Sequence, residues 1–375
     1  MVDLARKNLL HDKLRFLITV FGVAFAVMLM FVQVGLFLGL LKSSTITIEK
    51  LGADLWVTSK NTPNVDFSHA FPETRINRVR SIPGVARADN LIVVYLNVKL
   101  PTGAEDAVLT YALEDFAAWK FPWRVLEGDP EELRRGDYIL LDESSIKRFG
   151  SFQTGEYREV MGNRLKIIGR TTEARSFTTT PIVFMDYSLA QRVGSRDYSD
   201  QTSYILIKLK PGTDVERVRA EIQQRLPHND VYTSTEWAKR SRDYWVVSTG
   251  LGFNLMLTVF LGCLVGVVIV AQTLYTSTME HLKEFGTVKA IGGGNADIYR
   301  VLAKQAAISA VVGFVLGLLP ALALRPLVAS MGLELVITPQ IILITFVGTL
   351  VLCLSSAMLS FHKVARIDPA LVFRT

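Results

Sequence analysis

Residues 16–41 read FLITVFGVAFAVMLMFVQVGLFLGLL and contain no charged side chain. About 20 apolar residues let a helix cross the hydrocarbon core of a bilayer, and this run is too long for the apolar part of a signal peptide. Three more uncharged runs of spanning length occupy 246–279, 305–324 and 335–361. Because a long, mostly polar stretch separates the first run from the other three, we predict an α-helical membrane protein with four transmembrane helices (1 + 3) and a large domain outside the bilayer.

The basic residues indicate how the spans are oriented. They precede the first run, separate the second from the third and follow the fourth, whereas the short loop at 325–334 holds only Arg325. Since basic residues concentrate on the cytoplasmic side of short loops, we expect both termini in the cytoplasm and the large domain outside it. The net charge of +6 therefore reflects membrane topology, and no basic stripe with interleaved aromatic residues indicates a nucleic-acid partner.

The large extracytoplasmic domain has the pattern of a mixed α/β fold. Two similar strand–helix–strand units, at about 45–109 and 200–233, contain the turn signals IPG (82–84) and PGT (211–213). We interpret these units as two membrane-proximal βαβ halves, and the stretch between them, about 110–199, as an inserted strand-rich subdomain. Both cysteines lie in the apolar runs, so we expect this domain to be held together by its core alone.

The end of the domain predicts a lever. Thr233 and Glu236 have the spacing of a capping box, which opens a helix. Trp237, Tyr244 and Trp245 follow, a cluster typical of the outer membrane interface. We predict one helix from about 235 to 291, roughly 80 Å long at 1.5 Å per residue, that rigidly connects the domain to the other side of the membrane.

These observations give an expected order of segments along the chain. An amphipathic helix on the cytoplasmic face, or a terminus that only carries topogenic charge, comes first. The segments are 1–15 (N-terminal helix), 16–42 (first span), 43–233 (extracytoplasmic domain), 234–279 (stalk and second span), 280–304 (cytoplasmic elbow), 305–324 (third span), 335–361 (fourth span) and 362–375 (cytoplasmic tail).

The elbow carries the most specific motif. Residues 284–286 read EFG and 289–293 read KAIGG, followed by Ile298; the tail holds Asp368-Pro369-Ala370. This pattern resembles MacB/FtsX-type ABC transporter permeases, whose layout of spans is also similar. The stretch LGADLWV (51–57) and the absence of a fused ATPase resemble most the DevC-type branch. Many members have a glutamate where this chain has Lys304 and Gln305.

The resemblance implies a role and partners. It implies a permease subunit of an ABC exporter, in the bacterial inner membrane, that transmits ATP-driven motion of a separate ATPase subunit to its periplasmic domain. Further expected partners are a second permease copy, a periplasmic adaptor and a TolC-like outer-membrane channel. The residues expected to couple to the ATPase are Glu280, Lys283, Glu284, Gly286, Lys289, Ala290 and Gly292.

The chain itself is not expected to be an enzyme. It contains no G-x-x-x-x-G-K-[ST] sequence, so the phosphate-binding loop of an ATPase is absent, and ATP and Mg²⁺ are expected in the partner subunit. Its five histidines have no metal-ligand spacing. We therefore expect no cofactor and no metal in this chain.

Small residues suggest where helices approach closely. Glycine pairs four residues apart occur at Gly35/Gly39 and Gly262/Gly266, and such pairs allow close helix packing. We interpret the two pairs as a dimer seam along the first two spans. Two other functions fit the same layout: an FtsX-like regulator of a cell-wall hydrolase, and a ligand-sensing ABC-type signalling module.

Overall fold

The computed structural model describes residues 13–174, 176–178, 180–194, 198–280, 294–331 and 333–364. The chain divides into two compact units, residues 40–251 and residues 1–39 with 252–375. The predicted N-terminal helix (1–15) and the predicted tail (362–375) therefore lie almost wholly outside the described residues. Most of the predicted elbow, residues 281–293, lies outside them as well.

The described part of the chain forms α-helices and β-strands. The helices are α1 Lys13–Ser43, α2 Ile46–Leu51, α3 Ile76–Arg80, α4 Phe116–Trp119, α5 Ile146–Phe149, α6 Tyr187–Val193, α7 Val215–Arg225, α8 Ser234–Asp243, α9 Leu251–Glu280, α10 Asn295–Ala323, α11 Arg325–Ser330 and α12 Pro339–Val364. The strands are β1 Leu55–Ser59, β2 Phe71–Pro72, β3 Val85–Lys99, β4 Glu105–Leu113, β5 Val125–Glu127, β6 Tyr138–Asp142, β7 Tyr157–Val160, β8 Asn163–Thr171, β9 Ile182–Asp186, β10 Gln201–Thr202, β11 Tyr204–Leu209 and β12 Asn229–Thr233.

The helical unit confirms the four predicted spans. Helices long and apolar enough to cross a membrane occupy Lys13–Ser43, Leu251–Thr273, Asn295–Ser330 and Pro339–Met358. The third spanning helix, α10, begins ten residues before its predicted span, and at its start Asp297 accepts a hydrogen bond from the Gly294 N–H at 3.0 Å. The carboxylate satisfies a backbone donor at the helix start that would otherwise lack a partner.

Glycines set the packing distances among these helices. A β-carbon at Gly313 would lie 2.6 Å from Val23, and one at Gly317 would lie 2.5 Å from the backbone oxygen of Ala24. Both glycines belong to α10, whereas Val23 and Ala24 belong to α1. Absence of a side chain therefore lets the two backbones approach.

The four glycines of the predicted dimer seam also have neighbours in their own chain. Those of α1, Gly35 and Gly39, face residues 334–336, and the Val336 N–H donates a hydrogen bond to the Gly35 carbonyl at 3.0 Å. Those of α9, Gly262 and Gly266, face Leu29 and Ala26 of α1. The close approach is thus made within one chain, and a seam between two copies stays a prediction.

The mixed α/β unit is built on one sheet. Its strand order is β12-β1-β11-β3-β4-β9-β6-β8-β5, with β7 paired to β3 and β8. Strand β1 lies between β12 and β11, so Trp56 has Tyr232 as its neighbour on one side and Leu206 on the other. The two predicted βαβ halves therefore supply adjacent strands of the same sheet.

Strands from the predicted insert (110–199) continue this sheet. Strand β4 pairs with β3 along its whole length, from Leu91–Leu113 to Lys99–Glu105, and then with β9. The predicted boundary at residue 110 falls inside β4. Backbone hydrogen bonding thus runs from the halves into the insert without interruption.

The alternation of side chains along β1 explains how the sheet is covered. Leu55 and Val57 pack on one face with residues of α3 and α7, such as Val79 and Ile222. Trp56 packs on the opposite face, in the same cluster as Trp237 of α8. Successive residues of a strand point to opposite faces, so this short strand joins two cores.

The predicted unbroken lever is wrong. Helix α8 ends at Asp243 and is followed by one π turn, Tyr244–Ser248, in which the Thr249 N–H donates to the Tyr244 carbonyl at 3.3 Å. Gly250 then has φ +71°, a left-handed conformation that glycine adopts without steric cost. Helix α9 begins only at Leu251. The chain therefore has a joint at Thr249–Gly250, directly before the second span.

The glycine packing can be tested by adding one methyl group. Gly317→Ala places a β-carbon against the α1 backbone and should lower the free energy of unfolding by about 1–3 kcal/mol, as overpacking typically does. Thermal unfolding of the full chain in detergent measures this. Gly348→Ala is the matched control, because no atom lies within 4 Å of its β-carbon position. Equal unfolding temperatures for both variants would contradict the packing account.

Candidate functional site

The stalk, defined as residues 234–248, joins the mixed α/β domain to the second span. It starts with the predicted capping box, which the structure confirms: the Thr233 hydroxyl accepts from the Glu236 N–H at 3.2 Å, and Glu236 accepts from the Thr233 N–H at 3.0 Å. Arg219 of α7 donates to the same carboxylate at 3.0 Å. Although burial opposes it, these donors lower the pKa of Glu236.

One face of α8 is part of the domain core. Trp237 is fully buried and stacks on Tyr232, with ring centroids 5.4 Å apart and planes at 14°. Its interpretation as a membrane-interface residue is therefore wrong, because the sheet provides an apolar surface that covers the whole ring. Trp56 adds a polar contact by donating its indole N–H to the Ser234 hydroxyl at 3.0 Å.

Two arginines attach the exposed side of α8 to other parts of the domain. Arg240 donates to the Thr62 carbonyl at 3.2 Å, and Arg242 forms an ion pair with Glu49 of α2 at 3.4 Å. An exposed ion pair such as Arg242–Glu49 contributes at most about 1 kcal/mol. The burial of Trp237 is consequently the larger contribution to holding α8.

Five aromatic side chains, two of them from the π turn itself, connect that turn of the stalk to the domain. We call this set the aromatic clasp: Phe67, Tyr95, Phe177, Tyr244 and Trp245. Trp245 stacks on Phe177 with centroids 3.7 Å apart and planes at 12°, and Phe67 lies 5.8 Å from Trp245. Phe67 also approaches Tyr244 at 6.2 Å and Tyr95 at 6.1 Å. Aromatic pairs at these separations are attractive beyond their burial, so the last turn before the joint is bound to the domain.

A buried carboxylate lies next to the clasp. Asp66 precedes Phe67 and accepts a hydrogen bond from the Tyr111 hydroxyl at 3.2 Å. Burial raises the pKa of Asp66 to about 7, against the opposing effects of the Tyr111 hydroxyl and the Phe177 backbone N–H. The Thr47 hydroxyl of α2 donates to Tyr111 at 3.3 Å. A group that titrates near neutral pH thus adjoins two members of the clasp.

The far end of α9 carries the one predicted coupling residue that the structure describes. Glu280, at the last position of the helix, forms a bidentate ion pair with Arg15 near the start of α1. The ion pair holds the ends of two spanning helices together. The other six, Lys283, Glu284, Gly286, Lys289, Ala290 and Gly292, lie outside the described residues, and their role stays a prediction.

Sequence reasoning missed the partners of the stalk. Asp66, Phe67 and Phe177 lie in loops between strands, where no hydrophobic period marks buried positions. Only the stalk's own aromatic residues were visible as a cluster. A signal for the loop residues would have required knowing which loops the sheet brings together.

Comparison with known proteins identifies the chain. Residues 16–225 match the MacB-like periplasmic core domain, and residues 256–369 match the FtsX-like permease C-terminal region. The chain belongs to the MacB/FtsX-type ABC transporter permeases. It is a membrane protein with an extracellular domain, and a permease of this kind implies an ATPase partner. Assignment to the DevC-type branch stays a prediction.

Similar proteins cover most or all of the permease. An uncharacterised ABC transporter permease of Mycobacterium tuberculosis (H37Rv) is 24% identical over 100% of this chain and 99% of its own length. One of Methanocaldococcus jannaschii is 20% identical over 88% of this chain and 86% of its own length.

Two solved structures are similar to about half of this chain. The periplasmic region of MacB from Actinobacillus actinomycetemcomitans is 10% identical and covers 51% of this permease and 94% of its own chain, with a TM-score of 0.40. The extracellular domain of the noncanonic ABC-type transporter YknZ from Gram-positive bacteria is 12% identical and covers 48% and 99%, with a TM-score of 0.37.

The contribution of the clasp can be measured at Trp245. Trp245→Ala removes the ring that stacks on Phe177, and loss of a buried tryptophan costs about 3–5 kcal/mol. Amide hydrogen exchange around Phe67 and Phe177 in the full chain should then accelerate more than about tenfold, since each 1.4 kcal/mol is a factor of ten. Val247→Ala, at a stalk position whose side chain is 75% exposed, should leave exchange unchanged. Similar exchange in both variants would contradict the clasp.

Proposed function

We propose that this permease transmits ATP-driven motion of a separate ATPase subunit to its extracellular domain, acting as one of two copies in an ABC exporter. The observation that carries the proposal is the attachment of the stalk. Trp237 is buried in the domain core, and Trp245 is clasped by Phe67 and Phe177 four residues before Thr249, where the joint begins. A movement of the second span therefore acts on the domain through a short, tightly held segment.

The joint changes how the motion would be passed on. An unbroken helix would transmit rotation and bending alike. Two helices connected through Gly250 transmit a displacement along the chain, while α9 can change its tilt without forcing the same tilt on α8. The proposed lever is consequently a stalk fixed to the domain and linked to the span by a pivot.

The ATPase is proposed to bind at the end of α9. Glu280 and the six other predicted coupling residues in the elbow would form the contact. The Glu280–Arg15 ion pair would keep the first span attached to the same end of α9. Both termini and the elbow would then be cytoplasmic, with the domain in the periplasm. ATP and Mg²⁺ would bind only in the partner, because this chain has no phosphate-binding loop sequence.

Further partners belong to the same proposal. A periplasmic adaptor and a TolC-like outer-membrane channel would take the cargo onward, as the resemblance to MacB- and DevC-type systems implies. The extracellular domain would then act by moving against these partners.

The elbow contact is tested by reversing one charge. Glu284→Arg should reduce the ATPase that co-purifies with the permease by at least tenfold, because an acidic contact becomes repulsive toward a basic partner surface. The unfolding temperature of the permease alone should not change. Glu131→Arg, an exposed reversal in the extracellular domain, is the control. Unchanged ATPase activity in the Glu284→Arg complex would refute the assignment.

Transmission through the stalk is tested by lengthening the joint. Inserting Gly-Ser-Gly-Ser after Gly250 should abolish the ATP-dependent movement of the domain while ATP hydrolysis continues, because a flexible linker transmits no force. Spin labels on Glu131→Cys, in a chain with Cys263 and Cys353 replaced by serine, report the distance between the two copies.

The same insertion after Gly103 is the matched control for the lengthened joint. Gly103 lies in an exposed hairpin turn with no atom within 4 Å of its β-carbon position, so movement should be retained there. Movement that survives the insertion after Gly250 would contradict transmission through the stalk, and a single-copy distance pattern would contradict the dimer.

A further inference from the structure

Asp66 is a buried acid that has no role in the proposed transmission of force. It lies in the loop between β1 and β2 and is 3% exposed. Its Oδ1 accepts from the Tyr111 hydroxyl at 3.2 Å, whereas Oδ2 has no hydrogen-bond partner among the described residues. A buried carboxylate without a full set of partners is costly when charged.

The described polar groups near Asp66 do not supply a compensating positive charge. Among the residues that the structure describes, the groups facing Asp66 are neutral: the hydroxyls of Tyr95, Tyr111 and Tyr204 from three strands, and the Phe177 backbone N–H. The cations of α8 are engaged elsewhere, Arg240 by the Thr62 carbonyl and Arg242 by Glu49. Since no cation of the described residues is directed at this carboxylate, we take a proton as the ligand that neutralises it in place.

The loop that holds Asp66 is rigid on both sides of the carboxylate. The Asn64 side-chain oxygen accepts from the backbone N–H groups of Asp66 and Phe67 at 2.9 and 3.0 Å. Tyr204 donates to the carbonyls of Asn64 and Val65 at 3.1 and 3.0 Å. Asp66 therefore gains water only if the whole loop, including Phe67, moves away from the domain.

We propose that Asp66 is a proton-binding site that controls how tightly the aromatic clasp holds the stalk. Phe67 follows Asp66 directly, and Phe177, whose backbone N–H interacts with the carboxylate, stacks on Trp245. Opening of the clasp exposes Asp66 to water, and closing buries it. Protons therefore bind the closed clasp more tightly than the open one.

The sign of the effect follows from the balance of two opposing contributions. Hydrogen bonds to the charged form favour deprotonation, but burial outweighs them and raises the pKa of Asp66 from 3.8 to about 7. The closed form thus holds the proton up to about pH 7, while the open form releases it near pH 4. Acid tightens the clasp, and the clasp loosens as the pH rises through this window.

In the transporter, this site would make the grip of the extracellular domain on its stalk depend on the proton concentration outside the cell. That consequence rests on the proposed function. The site itself does not, because proton binding and clasp opening can be measured on the permease without ATP or ATPase.

The test is hydrogen exchange of the full chain in detergent from pH 5 to 8.5. After correction for the intrinsic pH dependence of exchange, opening at the segments around Phe67 and Phe177 should increase up to about tenfold per pH unit between pH 5 and 7 and level off above. A flat wild-type profile would overturn the proposal, whatever the variants do.

Two variants separate Asp66 from general effects of pH. Asp66→Asn keeps the shape of the side chain without the titration, so its profile should be flat and its exchange at pH 8 slower than in the wild type. Asp243→Asn, which removes an exposed acid from the stalk, should keep the wild-type slope. A wild-type slope in Asp66→Asn would also overturn the proposal.

Discussion

The stack of Trp245 on Phe177 is the contact on which the rest of this permease depends. It lies at the last turn of the stalk, five residues before Gly250 releases the backbone into a left-handed conformation. If the ring were free, the joint would in effect move into the domain and the second span would pull on a loose segment. Because the ring is held, the non-helical backbone between the stalk and the spanning helix is confined to Thr249 and Gly250.

The sheet provides the stiffness that the proposed transmission of motion to the whole domain requires. Strand β1 is flanked by strands from the second predicted half, and β4 carries the hydrogen bonding on into the strands of the insert. Trp56 and Trp237 then lie in one cluster with residues from both parts. Continuous backbone pairing and a shared core resist shear between the parts. A force applied at α8 is therefore distributed over all of the paired strands.

Local patterns in the sequence predicted local structure well. The apolar runs, the turn signals and the capping box at Thr233 all correspond to features of the fold, because each depends on residues close together in the chain. The unbroken lever was wrong for the same reason. Apolar residues on both sides of Gly250 suggested one helix, but rings from distant loops contact the π turn, and no local pattern includes them.

The sequence by itself determined the number of spans, the size and class of the extracellular domain, and the family to which the permease belongs. These follow from run length, charge and motif spacing, which need no knowledge of contacts. Only the tertiary structure decided that Trp237 belongs to a core, that Glu280 pairs with Arg15, and that Asp66 lies buried beside Phe67. Each of those facts depends on a contact between side chains that are far apart in the chain. Such contacts set the burial, the charge compensation and the proton affinity of a group, since its surroundings determine the free energies of its charged and neutral forms.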